Sequence, residues 1–373
     1  MNNQRYLRNN LVDWFSQDEL INMNICIVGC GAVGNEVIKN LALMGVGNLD
    51  IYDFDKIEIH NLTKSVLFRE SDIGRMKSDV AAERAKELDP NINVSSYPGD
   101  FWDLLPLNRL QKYDCVICCV DNFEARLKIN QLCVLFSKDL INTGIDSRYA
   151  SIEIYPFSKN CNTACYECNL PQSVYKQIEK RYSCGWLKKI SYKEKIIPTT
   201  PITASSAGSI ATSFSLRMRN SPIFFSKRIL IDTFSGVQST TDLLPNDKCI
   251  TCHPKRELML LKSPREIKTI LSSFHHNFIE NLVILSSEPI ITKTWCLNCQ
   301  PKGKQKNKIL QVAKFFDSRL SICSTCGNNS NHVEIKDVFN VNELVKEFRG
   351  YKFPGKFITT TIDQKIFIFE LED

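Results

Sequence analysis

The sequence lacks the features that mark membrane-spanning, secreted and nucleic-acid-binding proteins. No apolar run in its 373 residues approaches the length of about 18 residues that a membrane-spanning helix needs. Its first residues, MNNQRYLRNNLVDW, contain no apolar signal-peptide core. The formal net charge of +6 is too small over this length to indicate a nucleic acid as the main partner. We therefore expect a soluble, cytoplasmic protein with neither membrane nor nucleic acid among its partners.

Cysteine, in contrast, is abundant, with 16 residues. Disulfides are a poor explanation in a cytosolic protein, because thiols are kept reduced there. Four C-x-x-C pairs are present, namely Cys165/Cys168, Cys249/Cys252, Cys296/Cys299 and Cys323/Cys326. Other cysteines lie in apolar, strand-like runs such as CVICCV, and we expect these to pack as small hydrophobes.

Patterns typical of strands and helices alternate between residues 24 and 144. The predicted strands are residues 25–28, 49–52, 93–97, 115–120 and 140–143. The predicted helices between them are residues 33–44, 76–88 and 122–136. Such alternation implies an α/β fold with helices on both faces of a parallel sheet. We therefore predict a Rossmann-like, doubly wound and mostly parallel sheet.

The following segments predict additions to this sheet. Residues 150–157 alternate apolar and polar side chains, and residues 228–244 have the pattern of a two-stranded ribbon. Both are expected as antiparallel edge strands. Residues 202–217 predict an apolar helix made of small residues.

The end of the chain is predicted to form a second, smaller domain. The alternation stops after residue 254, so the boundary is placed at residues 255–263. Beyond it, two C-x-x-C pairs flank a lysine-rich loop, PKGKQKNK, and a strand–helix–strand–strand pattern follows. We predict one domain at residues 1–254 and an α+β domain with its own zinc site at residues 264–373.

A glycine-rich turn joins the first predicted strand to the first predicted helix. Gly29, Gly31 and Gly34 form the pattern G-x-G-x-x-G, and Asp53 follows the second strand. Glycines let a phosphate approach the backbone at a helix N-terminus, and an acid about 20 residues further on can hold ribose hydroxyls. Glycines also serve tight turns and close helix packing, so the strand, the helix and the acid in register are what indicate a nucleotide.

The polar residues that follow Asp53 indicate a triphosphate rather than a redox dinucleotide. Asn61, Lys64 and Lys77 come within the next 25 residues. Cleavage of a triphosphate needs cations that stabilise charge on the departing pyrophosphate. Asp121 follows the fourth strand, where a carboxylate facing phosphates can hold magnesium. Surface lysines and a helix cap are the competing interpretation, and the occurrence of all these residues in this order argues against it.

With these residues the sequence resembles the ubiquitin-activating-enzyme superfamily in its simple bacterial form, the ThiF/MoeB/HesA adenylyltransferases. The similarity extends from RYLRNN at Arg5 to CITC at Cys252, about two-thirds of the chain. It includes the glycine turn, DFD, DIGRMK, VDNFEAR and the paired C-x-x-C motifs. The resemblance implies that ATP is used to adenylate the C-terminal carboxylate of a polypeptide.

The resemblance also implies a role for each matched residue. The implied nucleotide-binding set is Gly29, Gly31, Gly34, Asp53, Asp55, Asn61, Lys64, Lys77, Asp121 and Asn122. In it the glycines cradle phosphates, Asp53 holds the ribose, Asn61 and Lys77 contact phosphates, and Asp121 binds Mg²⁺. The implied catalytic set is Cys184, Lys64, Lys77, Asp121 and Arg8. Arg8 would reach into the ATP site of a partner subunit, which implies a homodimer.

One position departs from the family pattern. Lys64 and Ser65 stand where the family usually has Arg-Gln. Lysine supplies a point charge but not the bidentate fork of arginine. The charge role of Lys64 is therefore retained in the prediction, whereas its geometry towards a phosphate is left open.

Two zinc sites are predicted from the C-x-x-C pairs. The four cysteines that match the structural zinc site of the family are Cys165, Cys168, Cys249 and Cys252. Four thiolates form a closed tetrahedral set, which is structural rather than catalytic. The four that fit a second, ribbon-like site, on spacing alone, are Cys296, Cys299, Cys323 and Cys326.

Cys184 belongs to no pair and lies in the segment RYSCGW. Arg181, Lys188 and Lys189 are close in sequence and would favour its thiolate. By resemblance it falls on the loop that crosses the active site, where the cysteine of some relatives accepts the acyl group and that of others is dispensable. Both roles, nucleophile and bystander, stay open.

The predicted function is activation of a ubiquitin-like or sulfur-carrier protein that ends in glycine, followed by thioester formation and transfer. Residues 332–373 weakly resemble a ubiquitin-like fold that recruits a conjugating enzyme; a generic accessory domain is the alternative. A competing function is adenylation of a ribosomal peptide. Relatives of that kind often carry a peptide-clamp domain, and only about 23 residues precede the glycine motif here. A nicotinamide oxidoreductase and a non-catalytic zinc scaffold are further alternatives, which the phosphate-contacting residues disfavour.

Overall fold

The computed structural model divides the chain into two compact units, Met1–His253 and Pro254–Asp373. The residues that the structure describes are 4–160, 162–171, 173–174, 198–218, 223–252, 256–261, 266–274, 282–296, 298–299, 307–316, 322–323, 326–327, 331–362 and 365–371. Cys184, for which the roles of nucleophile and bystander are both open, lies outside the described residues.

The first unit is built on an eight-stranded sheet with the order β3-β2-β1-β4-β5-β6-β7-β8. Its strands are β1 Asn24–Val28, β2 Asn48–Tyr52, β3 Asn93–Tyr97, β4 Cys115–Cys118, β5 Asp139–Ile145, β6 Tyr149–Tyr155, β7 Lys227–Asp232 and β8 Gln238–Asp242. The first five pair in parallel, and β6, β7 and β8 add to β5 in antiparallel fashion. The prediction of a mostly parallel, Rossmann-like sheet with antiparallel edge strands is confirmed.

The helices of this unit cover the sheet. They are α1 Gln17–Leu20, α2 Ala32–Leu43, α3 Lys77–Leu88, α4 Phe101–Leu104, α5 Leu107–Leu110, α6 Phe123–Leu135 and α7 Pro201–Arg217. Small side chains on α7 explain why it packs closely on α2: a Cβ on Gly208 would lie 2.5 Å from the Cβ of Glu36. The buried core joins the apolar residues of β1 to those of α2, α3 and α7.

The second unit is an α+β structure, as predicted. Its elements are β9 Arg256–Leu261, α8 Glu266–Phe274, β10 Val283–Cys296, β11 Asn307–Val312, β12 Asn331–Asn340, α9 Val341–Glu347, β13 Phe357–Ile362 and β14 Lys365–Leu371. The sheet has the order β11-β10-β13-β14-β9, and β12 pairs with β10. Both helices contribute to its core, through Ile267 and Leu271 of α8 and through Leu344 of α9.

Two features of the second unit differ from the sequence pattern. Strand β9 lies within the stretch that was assigned to the domain boundary, and it pairs with β14 in parallel. Strand β12 is hydrogen-bonded to β10, which precedes residue 332, so the sheet is not made from residues 332–373 alone. The ubiquitin-like fold of that stretch stays a prediction. Among the described helices, none is long and apolar enough to cross a membrane.

Candidate active site

The glycine turn after β1 is held by two close backbone contacts. Gly29 has a φ of +98°, and a Cβ on it would lie 2.8 Å from the carbonyl carbon of Cys119. A Cβ on Gly34 would lie 2.0 Å from the oxygen of Gly29. Gly31 is different, because no atom of the described residues comes within 4 Å of a Cβ built there. Gly29 and Gly34 therefore shape the turn, and Gly31 borders open space at the N-terminus of α2.

Asp53 ties this turn to the end of β2. Its carboxylate accepts hydrogen bonds from the N–H of Cys30 at 2.5 Å and from the N–H of Asp55 at 2.8 Å. Burial raises the pKa of Asp53, against the opposing effect of these two hydrogen bonds. Each carboxylate oxygen has further acceptor capacity, so Asp53 can still accept hydrogen bonds from a sugar.

Lys77, the first residue of α3, lies against the acidic segment that follows β2. Its Nζ is 2.8 Å from Oδ2 of Asp55, and its side chain is only 11% exposed. Burial lowers the pKa of Lys77, but the hydrogen bond to Asp55 and the charge of Asp53 outweigh it, and the net pKa is raised. The sequence therefore folds into a buried, positively charged lysine beside the glycine turn.

Asn61 makes a local contact, whereas Lys64 contacts a residue far away in sequence. Oδ1 of Asn61 accepts from the N–H of Glu58 at 2.9 Å and closes a single 3-10 turn. Nζ of Lys64 donates to Oγ1 of Thr199 at 2.9 Å. Thr199 precedes α7, so Lys64 links the segment after β2 to the start of that helix.

Asn35 is a residue that the sequence analysis missed. It is fully buried, and its Nδ2 donates to the carbonyl of Cys30 at 2.8 Å. Its Oδ1 accepts from the N–H of Leu67 at 2.9 Å. Asn35 therefore connects the glycine turn to the segment that carries Asn61 and Lys64. A polar residue on the apolar stretch of a predicted helix was the signal that could have found it.

Two neighbouring residues in the turn between β4 and α6, Asp121 and Asn122, have different roles. Asn122 is the N-cap of α6, because its Oδ1 accepts from the N–H of Ala125 at 2.8 Å. Asp121 is exposed, and its carboxylate has no hydrogen-bond or ion-pair partner among the described residues. The helix-cap role that competed for Asp121 thus belongs to Asn122, and the Asp121 carboxylate remains available to a ligand.

The N-terminal segment is anchored, although Arg8 is not. Tyr6 is buried, donates to the carboxylate of Asp89, and packs over Gly45, where a Cβ would lie 2.5 Å from its ring. Arg5 pairs with the same aspartate at 3.2 Å. The Arg8 side chain is exposed and has no partner among the residues described. Its backbone is therefore fixed while its guanidinium points to solvent.

A cleft opens beyond the carboxyl end of β5. Its volume is about 310 Å³, and it is lined by Ser147, Arg148, Thr200, Ile202, Thr233 and Phe234. Arg148 forms an ion pair with Asp232, which holds the pKa of that carboxyl below its ordinary value. The cleft therefore combines apolar and hydroxyl side chains next to the N-terminus of α7.

The first four-cysteine set is assembled in the first unit. The sulfur atoms of Cys165 and Cys249 are 3.6 Å apart, and those of Cys168 and Cys252 are 3.3 Å apart. Zinc–sulfur bonds of about 2.3 Å in a tetrahedron place the sulfurs about 3.8 Å from one another. All four ligand atoms lie within 4.8 Å of each other, so the set has the dimensions of a Cys₄ zinc site.

The second set lies at one end of a three-stranded antiparallel ribbon, β11-β10-β12. Sulfur distances across the two pairs are 3.7 Å for Cys296 to Cys326 and 3.7 Å for Cys299 to Cys323. Gly327, with a φ of +70°, donates its N–H to the carbonyl of Cys323 at 2.8 Å, which holds the residue after Cys326 close to Cys323. The structure brings together the four cysteines that spacing alone had grouped.

Comparisons with known proteins agree with this geometry. The model of the ThiF family matches residues 4–250. A sulfur carrier protein adenylyltransferase from Thermus thermophilus is 30% identical over 42% of this chain and 58% of its own length. Ubiquitin-like modifier-activating enzyme 5 from Bombyx mori is 26% identical over 67% of this chain and 65% of its own. The structure of E. coli MccB with ATP is similar with a TM-score of 0.54 and 26% identity, over 68% of this chain and 74% of that chain. This chain spans less than two-thirds of the length of each of these two curated relatives.

Proposed function

Because this chain belongs to the ThiF family, we propose that it is an ATP-dependent adenylyltransferase that activates the C-terminal carboxylate of a ubiquitin-like or sulfur-carrier protein. The observation that carries the proposal is that the glycine turn, Asp53 and Asp121 follow the carboxyl ends of the neighbouring strands β1, β2 and β4, with Lys77 paired to Asp55 in the segment after β2. Ligands of doubly wound sheets bind at this edge. The substrate class is supported by the relatives, since the Thermus thermophilus protein is a sulfur carrier protein adenylyltransferase and the Bombyx mori protein is a ubiquitin-like modifier-activating enzyme.

The residues around the glycine turn divide the binding of ATP among them. The phosphates approach the open space at Gly31. The first N–H groups of α2 would donate to them there, because a helix N-terminus attracts anions. Asp53 accepts hydrogen bonds from the ribose with its remaining lone pairs. Lys77, held in place by Asp55, sets a desolvated positive charge against the departing pyrophosphate. Lys64 adds a second positive charge, and Asn61 fixes the backbone turn that precedes it.

The carboxylate of Asp121 fits a magnesium ligand. It is exposed at the sheet edge and has no competing partner among the described residues. Mg²⁺ binds proteins through one or two carboxylates together with waters and substrate phosphates, so one side chain suffices. When bound, the ion would neutralise charge on the phosphate oxygens. The contribution of Asn122 is to cap α6 and thereby shape the turn that carries Asp121.

We assign the cleft beside α7 to the C-terminal residues of the carrier. Its volume of about 310 Å³ is at the lower end of the range of ligand pockets, roughly 300–1,000 Å³. Phe234 and Ile202 offer apolar contacts to an extended segment, and Thr200 and Arg148 offer donors to its carbonyls. The carboxylate would then approach the α-phosphate from the β5 side of the sheet.

The remaining predicted parts complete the proposal. The Cys165 set is a structural zinc site that joins the loop after β6 to the segment after β8, and the Cys296 set is a second structural zinc site in the ribbon. Arg8, whose guanidinium is exposed, reaches the ATP site of a second copy in a homodimer. Cys184 is the candidate acceptor for a thioester, with a conjugating enzyme as a further partner.

A peptide-tailoring enzyme is the second candidate function. The observation that favours it is the similarity to E. coli MccB, of which one structure contains AMPCPP and MccA, with a TM-score of 0.54 and 26% identity. The same nucleotide site would serve either substrate, so the choice depends on what occupies the cleft beside α7.

The test offers purified protein ATP and Mg²⁺ together with small proteins ending in glycine that are encoded beside its gene. The proposal expects the carrier to gain the mass of AMP less water. Added hydroxylamine should then displace AMP from this acyl adenylate and leave the carrier as a hydroxamate. A carrier whose last glycine is amidated is the control and should not react. Reaction with a short peptide but with no carrier would select the tailoring function, and tight binding of a nicotinamide nucleotide without ATP affinity would contradict both.

A further inference from the structure

Arg126 makes two hydrogen bonds that the functions assigned above do not use. It lies in the first turn of α6, five residues after Asp121 in the segment VDNFEAR. Its Nη2 donates to the carbonyl of Val120 at 2.5 Å, and its Nη1 donates to Oδ1 of Asn142 at 2.5 Å. The guanidinium therefore joins the residue before Asp121 to the neighbouring strand β5.

The network continues across the sheet and ends at a buried carboxylate. Nδ2 of Asn142 donates to Oε2 of Glu153 at 2.7 Å, and Glu153 on β6 is 6% exposed. Arg228 on β7 donates its Nε to the other oxygen of Glu153 at 2.9 Å. Tyr155 also donates to Glu153, at 3.1 Å. Hydrogen bonds to charged groups are strong in a low-dielectric setting. The network of Asn142, Glu153 and Arg228 therefore fixes the orientation of the Arg126 guanidinium.

A second contact from β5 fixes the backbone at the end of β4. The hydroxyl of Thr143 donates to the carbonyl of Cys118 at 3.0 Å, so β5 holds the backbone both at the end of β4 and, through Asn142 and Arg126, at Val120. Asp121 itself has no side-chain partner among the described residues. Its position therefore depends on how firmly the backbone of the turn is held.

We infer that Arg126 is a positioning residue for Asp121: by binding the carbonyl of Val120, it holds the β4–α6 turn so that the Asp121 carboxylate meets a magnesium ion on the nucleotide. The inference deepens the proposed function and rests on it, because it takes Asp121 as the magnesium ligand. It also explains the positions of Asn142 and Glu153: Asn142 orients the Arg126 guanidinium, and Glu153 supplies a negative charge to the same network.

The test measures ATP binding by calorimetry over a series of Mg²⁺ concentrations, which needs neither carrier nor turnover. Arg126→Gln should raise the Mg²⁺ concentration that gives half of the full increase in ATP affinity by about tenfold, while ATP affinity without Mg²⁺ stays unchanged. Arg126→Lys should retain part of the wild-type Mg²⁺ dependence, since its ammonium keeps the positive charge and N–H donors on a single nitrogen. In an Asp121→Asn background, Arg126→Gln should change nothing further. Arg217→Gln is the matched control, because Arg217 also donates to a backbone carbonyl, that of Ser213 at 3.2 Å, on α7.

The outcomes separate the inference from the proposed function. If Arg126→Gln weakens ATP binding equally with and without Mg²⁺, or leaves the Mg²⁺ dependence unchanged, Arg126 has only a structural role and the inference is overturned. If Arg126→Gln does not fold, Asn142→Leu applies the same test through the other end of the guanidinium and should shift the Mg²⁺ dependence in the same direction. Failure of wild-type protein to bind ATP at all would instead contradict the proposed function.

Discussion

Substitution by alanine should have opposite effects at the two glycines at the start of α2, changing ATP binding at Gly31 and stability at Gly34. Gly31→Ala places a methyl group in open space, because nothing described lies within 4 Å of it. Gly34→Ala places a methyl group 2.0 Å from the carbonyl oxygen of Gly29, which is backbone and cannot rotate away. Binding of phosphate and stability of the turn can therefore be tested separately with two variants three residues apart.

The magnitudes follow from these surroundings. At Gly31, with a φ of −70°, alanine gains about 0.4–1 kcal/mol by restricting the unfolded chain and loses a similar amount because it is a poorer N-cap than glycine. The net change in the free energy of unfolding should be below about 1 kcal/mol. At Gly34, the forced shift of the backbone should cost about 1–3 kcal/mol or more. In a unit of this size, each 1 kcal/mol lowers Tm by about 2–4 °C.

ATP affinity should fall in Gly31→Ala, the variant whose stability is nearly unchanged. The methyl group of Gly31→Ala occupies the approach of the phosphates, so Kd should rise at least tenfold, about 1.4 kcal/mol, with Tm near that of wild type. Calorimetry gives Kd, and thermal unfolding followed by circular dichroism gives Tm. Wild-type affinity in Gly31→Ala would refute the placement of the phosphates, and wild-type Tm in Gly34→Ala would refute the close contact that shapes the turn.

Three further predictions concern zinc, the buried lysine and the candidate nucleophile. Metal analysis should find two zinc ions per chain; Cys299→Ser should remove one of them, and Cys249→Ser should remove the other and reduce solubility, since structural zinc contributes on the order of 10 kcal/mol to small metal-dependent folds. A value of one in wild type would discard the ribbon site. Lys77→Met keeps the volume of the side chain but removes the cation that Asp55 holds in place. Because this cation is assigned to the departing pyrophosphate, carrier adenylation should fall at least a hundredfold, and an unchanged rate in a single-turnover assay would remove Lys77 from the mechanism. Cys184→Ala should retain adenylation and lose any adduct that thiol reductants cleave, as seen on non-reducing gels; an adduct that persists would make Cys184 a bystander.

The strand and helix pattern of the first unit could be predicted because its signals are local. The buried strand β1 reads as an apolar run, and α2 repeats apolar residues with helical spacing next to the glycine turn. The predicted fourth strand extended to residue 120, whereas β4 ends at Cys118, because the backbone turns there to pass over Gly29. Local patterns fix such elements to within a few residues.

The contacts that organise the site could not be predicted, since they join residues far apart in sequence. The hydrogen bond from Lys64 to Thr199 spans 135 positions, and that from Arg228 to Glu153 spans 75. No local pattern encodes such partners. In the second unit, β9 was missed, and its parallel partner β14 comes from the opposite end of the unit, so no local pattern reports the pairing.

Exchange of labelled pyrophosphate into ATP, in the presence of Mg²⁺ and a carrier ending in glycine, tests the central claim most directly. The proposed function predicts exchange by wild-type protein that requires the free C-terminal carboxylate of the carrier. Asp121→Ala should abolish this exchange while its Tm stays that of wild type, because the exposed Asp121 side chain contacts no described partner. Undiminished exchange in Asp121→Ala would contradict the assigned site, and absence of exchange with every carrier and peptide offered to wild type would contradict adenylation itself.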